Sequence, residues 1–218
     1  ELHDLTKAFP KITEWLEATK KPTLKQLENF SNKVHIPFGY LFLPEPPKET
    51  IPFPFFRTNA SAGGAFNINV YDTILLVQQR QEWLKEYLED LEFDPLPFVG
   101  KFSVENHVDE IVASIRQTLN LSPDWASRFT KWEDALEHLT QQIEEAGIII
   151  FFNGVVENNT SRPIPVDECR GFVMVDDVAP IMFVNNADAK AAQMFTLVHE
   201  LAHIWIGQSA GFDIQQML

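Results

Sequence analysis

Cysteine is nearly absent. Cys169 is the only one in 218 residues, so an internal disulfide framework is excluded. Long apolar runs are missing as well: no stretch approaches the length of a membrane span or a secretory leader. A soluble, reducing, cytoplasmic setting without membrane contact is expected. Positive charge is also in short supply, with 17 Lys and Arg against 31 Asp and Glu and a net charge of −14. That balance argues against the whole molecule holding nucleic acid through phosphate contacts alone. What remains is ample for folding: a chain of this length buries a real core, and one large domain with a smaller appendage is expected.

The shortage of cations is uneven. Residues 1–48 hold seven lysines against six acids, a balance of +1 that leaves −15 for residues 49–218. Any DNA contact is therefore sought in residues 1–48. Apolar positions there fall in short stripes: Leu2, Leu5 and Phe9; then Ile12, Trp15 and Leu16; then Leu24, Leu27, Phe30 and Val34 behind a capping Thr23. Breaks at Pro10, Pro22 and Pro37 separate them. Short helices with tight turns imply a helix-turn-helix-type bundle. Its candidate reading segment, residues 10–19, offers few groove-reading groups beyond Lys11 and Thr13, so a docking or structural role ranks ahead of DNA binding.

Residues 49–66 read as a linker, rich in proline first and then in Ala60-Ser61-Ala62-Gly63-Gly64. From 67 to 90, Val70, Ile74, Val77, Gln81, Leu84, Leu88 and Leu91 recur every three or four residues and predict one long amphipathic helix, interrupted at Gln81. Further helices are expected near 103–119 and 131–146. The period then changes. Ile148 to Phe152 is a β-branched, continuous run that marks a strand covered on both faces. A polar loop is expected from 153 to 170, followed by a hairpin of 171–175 and 180–184.

The chemistry concentrates in His199-Glu200-Leu201-Ala202-His203. Two histidines four apart project from one helical face and can grip one Zn²⁺ ion, with Glu200 beside them to take a proton from water. Phe195, Val198, Leu201, Ala202 and Ile206 make this helix apolar nearly all round, as a buried helix should be. Asn185, Asn186 or Asp188 can cap its start and Gly207 its end. The competing reading is a core helix whose histidines merely hydrogen-bond. His107 and His138 have no partner at metal spacing and read as structural.

Two resemblances follow from these residues. Ile12-Thr13-Glu14-Trp15-Leu16-Glu17, Pro22-Thr23-Leu24-Lys25-Gln26-Leu27-Glu28 and Pro37-Phe38-Gly39-Tyr40-Leu41-Phe42-Leu43-Pro44 resemble the later part of an Xre-type helix-turn-helix domain whose first helix is missing ahead of Glu1. Arg170-Gly171-Phe172, Asp176-Asp177-Val178-Ala179-Pro180-Ile181 and the run from Asn185 into His199-Glu200-Leu201-Ala202-His203 resemble the ImmA/IrrE family of zincin-like metallo-endopeptidases. Phe55 departs from that family, where an aspartate is expected. The implied fold is α+β: a zincin-like core of short sheet and active-site helix over 67–218, truncated at its C-terminus, behind an all-α domain at 1–48.

The family resemblance implies zinc-dependent, site-specific cleavage of a protein substrate, often a helix-turn-helix repressor or antitoxin. Glu200 is then the catalytic base, and His199 and His203 are metal ligands. A substrate peptide is expected along an edge strand of the 171–184 hairpin. A catalytic zinc needs a third protein ligand, which the family places on a later helix. Within this chain the candidates are Asp213, the one acid after the motif, and Cys169, whose thiolate would hold the site latent. The rival function is a DNA-binding regulator or antitoxin-like interaction protein with a vestigial peptidase core.

Overall fold

Where apolar residues recur on a helical period the chain is helical, and where they run on without a break it is extended. The computed structural model describes residues 2–47 and 67–211. The linker with Phe53, Phe55 and Phe56, and Asp213 near the C-terminus, lie outside the described residues. Contacts divide the chain into two units, Glu1–Thr50 and Ile51–Leu218, each taken by itself.

The first unit holds three helices, α1 (Leu2–Ala8), α2 (Ile12–Leu16) and α3 (Leu24–Val34), and a 3-10 turn at Phe38–Phe42. Thr23 caps α3 reciprocally: its hydroxyl accepts from the Gln26 N–H while the Gln26 side chain accepts from the Thr23 N–H. Phe9 packs edge-on against Phe30 with ring centres 5.5 Å apart, and Ile12 is buried. Leu16 and Leu24, expected on the inner stripes, instead stand 70 % and 69 % exposed. A five-residue α2 makes little more than one turn, so it points only part of its apolar set inward.

The second unit is a four-stranded sheet between helices. Its strands are β1 (Ile149–Phe152), β4 (Gly171–Met174), β5 (Ile181–Val184) and β6 (Ala210–Gly211), in the order β1-β5-β4-β6. β1 runs parallel to β5, and the other pairs are antiparallel. Side chains alternate between two cores. Phe172, Met174, Ile181 and Phe183 meet Val70, Ile74 and Val77 of α4 (Ile68–Asp90). Val173, Met182 and Val184 meet α5 (Val108–Thr118), α6 (Trp132–Glu145) and α7 (Lys190–Ile206). Helices on both faces explain why every residue of β4 and β5 is buried and why both strands are apolar throughout. This mixed architecture fits a zincin-like core.

Gln81, which interrupts the apolar stripe of α4, has a definite task. Its side-chain amide donates to the Met174 and Ala179 carbonyls at 2.8 Å each, closing the end of the β4–β5 hairpin. Two elements depart from the expectation. The stretch expected as a polar loop holds a second sheet, β2 (Val155–Val156) with β3 (Asn159–Pro163). Neither strand of the β4–β5 hairpin is an edge, because β5 lies between β1 and β4, and β6 pairs with β4 on its other side. No helix among the described residues is long and apolar enough to cross a membrane.

Candidate metal centre

The site is set by how α7 is seated. Asn185, fully buried after β5, donates to the Ile164 and Cys169 carbonyls at 3.0 Å and accepts from the Ala187 N–H. Arg170 pairs with Asp188 at 2.6 Å. The helix N-cap is Ala189 rather than one of the three expected residues, and no side chain caps it. The buried Gln193 folds back over this end and donates to the Asp188 and Asn186 carbonyls that precede the helix. At the far end Gly207 takes a left-handed conformation, φ 77°, and the Gly100 and Phe102 N–H groups bond the Ile204 and Trp205 carbonyls.

Rotation about the helix axis is fixed by one close approach. A Cβ on Gly171 of β4 would overlap the Thr196 methyl and stand 2.7 Å from the Phe183 carbonyl oxygen. Only glycine lets α7 lie this near the strand. Thr196 therefore faces β4, and Glu200, one turn on, faces the sheet with no exposed surface. His203, seven residues beyond Thr196, falls within about 20° of the same stripe, and His199 stands about 60° further toward the open side.

The two histidines converge. Their Nε2 atoms are 3.3 Å apart, with ring centres 5.0 Å apart at 66°. Two nitrogens bound at roughly 2.0–2.1 Å to one tetrahedral zinc stand about 3.3–3.4 Å apart, so the pair fits that ion. Burial, and then the neighbouring His203 ring, push the His199 pKa down to about 4. Burial also lowers that of His203. Both rings are thus neutral near pH 7, the form that ligates.

An N–H···N hydrogen bond between the rings would suit the same distance, and Glu200 separates the two readings. Both Glu200 carboxylate oxygens are buried with no hydrogen-bond partner among the described residues, and so is His203 Nδ1. Burial raises the Glu200 pKa well above the usual carboxylate range. A carboxylate held this way costs the fold stability. A buried, unpartnered acid is a feature that packing alone does not call for.

The other candidates are placed elsewhere. Cys169 is buried in the α4-side core, and burial, then the charges of Glu200 and Glu168, push its thiol pKa up, which opposes a thiolate. Among the described residues no three His, Cys, Asp or Glu side chains form a ligand group. His107 is exposed at the start of α5, and His138 packs on Trp125 and Phe129. A groove of about 560 Å³ between α6 and the start of α7 is lined by Leu136, Phe152 and Gln193. Gln193 lies about 120° around the helix from His199, so that groove belongs to another face. The helix itself is not covered all round: Phe195 is 44 % and Val198 49 % exposed, on the His199 side. The sheet, α5 and α6 account for its buried faces.

With this geometry in place, one comparison is informative. Residues 143–217 match the IrrE N-terminal-like domain of the Peptidase_M78 family. The match supports the resemblance to ImmA/IrrE metallopeptidases over this stretch, which runs from the end of α6 through the sheet and α7. Residues before 143 lie outside the Peptidase_M78 match, including the first unit. No curated protein and no solved structure gives a match. Within the Peptidase_M78 stretch, Asn185 was expected as a helix cap and instead ties the Ile164 and Cys169 carbonyls, while the roles of Gln193 and of the Gly171–Thr196 contact had no signal in the sequence, because their partners are brought close only by the fold.

Proposed function

We propose that this chain is a zinc-dependent endopeptidase that cuts a protein substrate at a specific site in a regulatory setting, with a helix-turn-helix repressor or antitoxin as the substrate class. The observation that carries this reading is the pair of converging Nε2 atoms, 3.3 Å apart, on a helix that also carries a fully buried carboxyl group with no hydrogen-bond partner among the described residues. His199 and His203 would hold the ion. When bound, zinc polarises the scissile carbonyl and acidifies the attacking water.

Glu200 is the general base. It accepts the proton of the attacking water and returns it to the leaving amine, a task matched by a pKa raised above the ordinary carboxylate range. The surrounding apolar side chains Leu197, Leu201 and Ile204, all buried, keep bulk water from the inner face of the helix. Glu200→Gln should retain the metal and lose cleavage of proteins encoded beside this one, assayed with and without a chelator. Unchanged turnover in that variant would refute the assignment.

A further inference from the structure

We propose that the outer face of α4 docks a cationic amphipathic helix of a partner protein. Trp83 and Tyr87, one turn apart, form the centre of this face, and Leu91 follows a further turn on at the helix end. They are 64 %, 51 % and 52 % exposed, and the two rings stack with centres 5.7 Å apart at 7°. This row is separate from the one that folds the domain. Val70, Ile74 and Val77 face the sheet, and Trp83 lies about 120–180° around the helix from each of them. Apolar side chains scattered singly over a surface are ordinary. A contiguous row of Trp, Tyr and Leu marks a contact surface, and Trp and Tyr are the residues that most often anchor one.

Charge decides what the contact is with. Residues 79–94 hold six acids and two cations, and both cations are engaged: Lys85 pairs with Asp176 at 2.6 Å, and Arg80 sits 5.1 Å above the Phe151 ring. Glu86 and Asp90 fall within about 60° of Trp83 around the helix. Both are exposed, and neither has an ion-pair partner among the described residues. A second copy of this chain would set acid against acid on such a face, and an anionic bilayer or a nucleic acid is repelled by it. Lysine and arginine on a partner meet the carboxylates and the aromatic rings together.

The shape of the face favours a helix as the partner's element. Within α4 the backbone groups are spent on the helix itself, so an extended peptide finds no edge to pair with and leaves its own backbone unsatisfied. A second helix satisfies its own backbone and presents side chains at the same one-turn spacing as Trp83 and Tyr87. α4 and α7 pack on opposite faces of the sheet. The docking face is thus across the sheet from the histidine helix, and the inference stands whether or not the chain is a peptidase.

A fluorescein-labelled helical peptide of about 18 residues, with leucine at every third or fourth position and arginine between, tests the face on the full chain by anisotropy at about 0.15 M salt. Wild type should bind it. Trp83→Ala/Tyr87→Ala should weaken binding at least about tenfold, and Glu86→Gln/Asp90→Asn should weaken it and flatten its salt dependence, with circular dichroism unchanged in both because all four side chains are exposed. Glu133→Gln/Glu137→Gln, which removes the same charge from the exposed side of α6, should leave binding as it was. A peptide with glutamate in place of arginine should not bind. Failure of the arginine peptide to bind, equal binding by wild type and both α4 variants, or an equal loss in the α6 variant would overturn the inference. A dimer in sedimentation that Trp83→Ala/Tyr87→Ala dissolves would assign the face to a second copy and overturn it as well.

Discussion

Replacing Glu200 with methionine should make the metal-free protein more stable. The side chain has no exposed surface and neither oxygen has a partner among the described residues. A buried polar group left unpaired costs about 1–3 kcal/mol. Methionine is close in volume and in helix preference, so repacking takes back little of that gain. At about 2–4 °C per kcal/mol for a domain of this size, the midpoint should rise by roughly 2–12 °C. The gain also depends on pH. Burial raises the Glu200 pKa, so as pH climbs above the unfolded value of about 4.3 the unfolded chain releases its proton before the native one does. Native stability falls through that window in the wild type and not in the variant. Thermal unfolding in chelator, followed by circular dichroism from pH 5 to 8, reads both effects. A lower midpoint for Glu200→Met, or a gain that shrinks as pH rises, would refute the view that Glu200 is kept for chemistry at the expense of the fold.

Other perturbations test the framework around it. Gly171→Ala should destabilise by about 3 kcal/mol, because one of its close neighbours is the Phe183 carbonyl rather than a movable side chain; denaturant midpoints would show it, and an unchanged midpoint would contradict the close seating of α7. Gln81→Leu strands the Met174 and Ala179 carbonyls and should cost about 2 kcal/mol by the same measurement. His199 has a native pKa of about 4, below its unfolded value of about 6.5. Acidification across that interval therefore loads protons onto the unfolded chain first and erodes stability. Metal-free His199→Gln should show a shallower decline over the same interval, and parallel pH profiles would contradict the burial of that ring.

How far the sequence carried depended on what kind of contact each element makes. β4 and β5 were legible because all their side chains are buried, and α4 because its inward face is, and burial leaves an apolar period on the sequence. β1 showed as an apolar run, but it is an outer strand with only Ile150 of its four residues buried and is not fully covered on both faces as expected. β2 and β3 were not, since Asn159–Pro163 is mostly exposed and polar and is held by its neighbour strand and by Arg162 to Asp72. The converging histidines followed from a spacing of four on a helix. The open side of that helix did not, because Phe195 and Val198 are apolar yet face outward, and composition carries no record of direction. Gln81 looked like a flaw in a stripe for a similar reason: its partners are two carbonyls more than ninety positions away. The hairpin was expected from two apolar runs, whereas Ala210 and Gly211, the described residues that pair with β4, offer no apolar pattern to read.

Zinc binding by the histidine pair is the claim on which the rest depends. Equilibrium dialysis of wild-type protein, His199→Ala and His203→Ala against buffered zinc, followed by metal analysis, tests it without needing a substrate. Wild type should take up one ion per chain, and either substitution should weaken binding by at least about tenfold, since each removes one of two converging ligands. Zinc uptake that is the same in all three proteins, or absent from the wild type, would contradict the account.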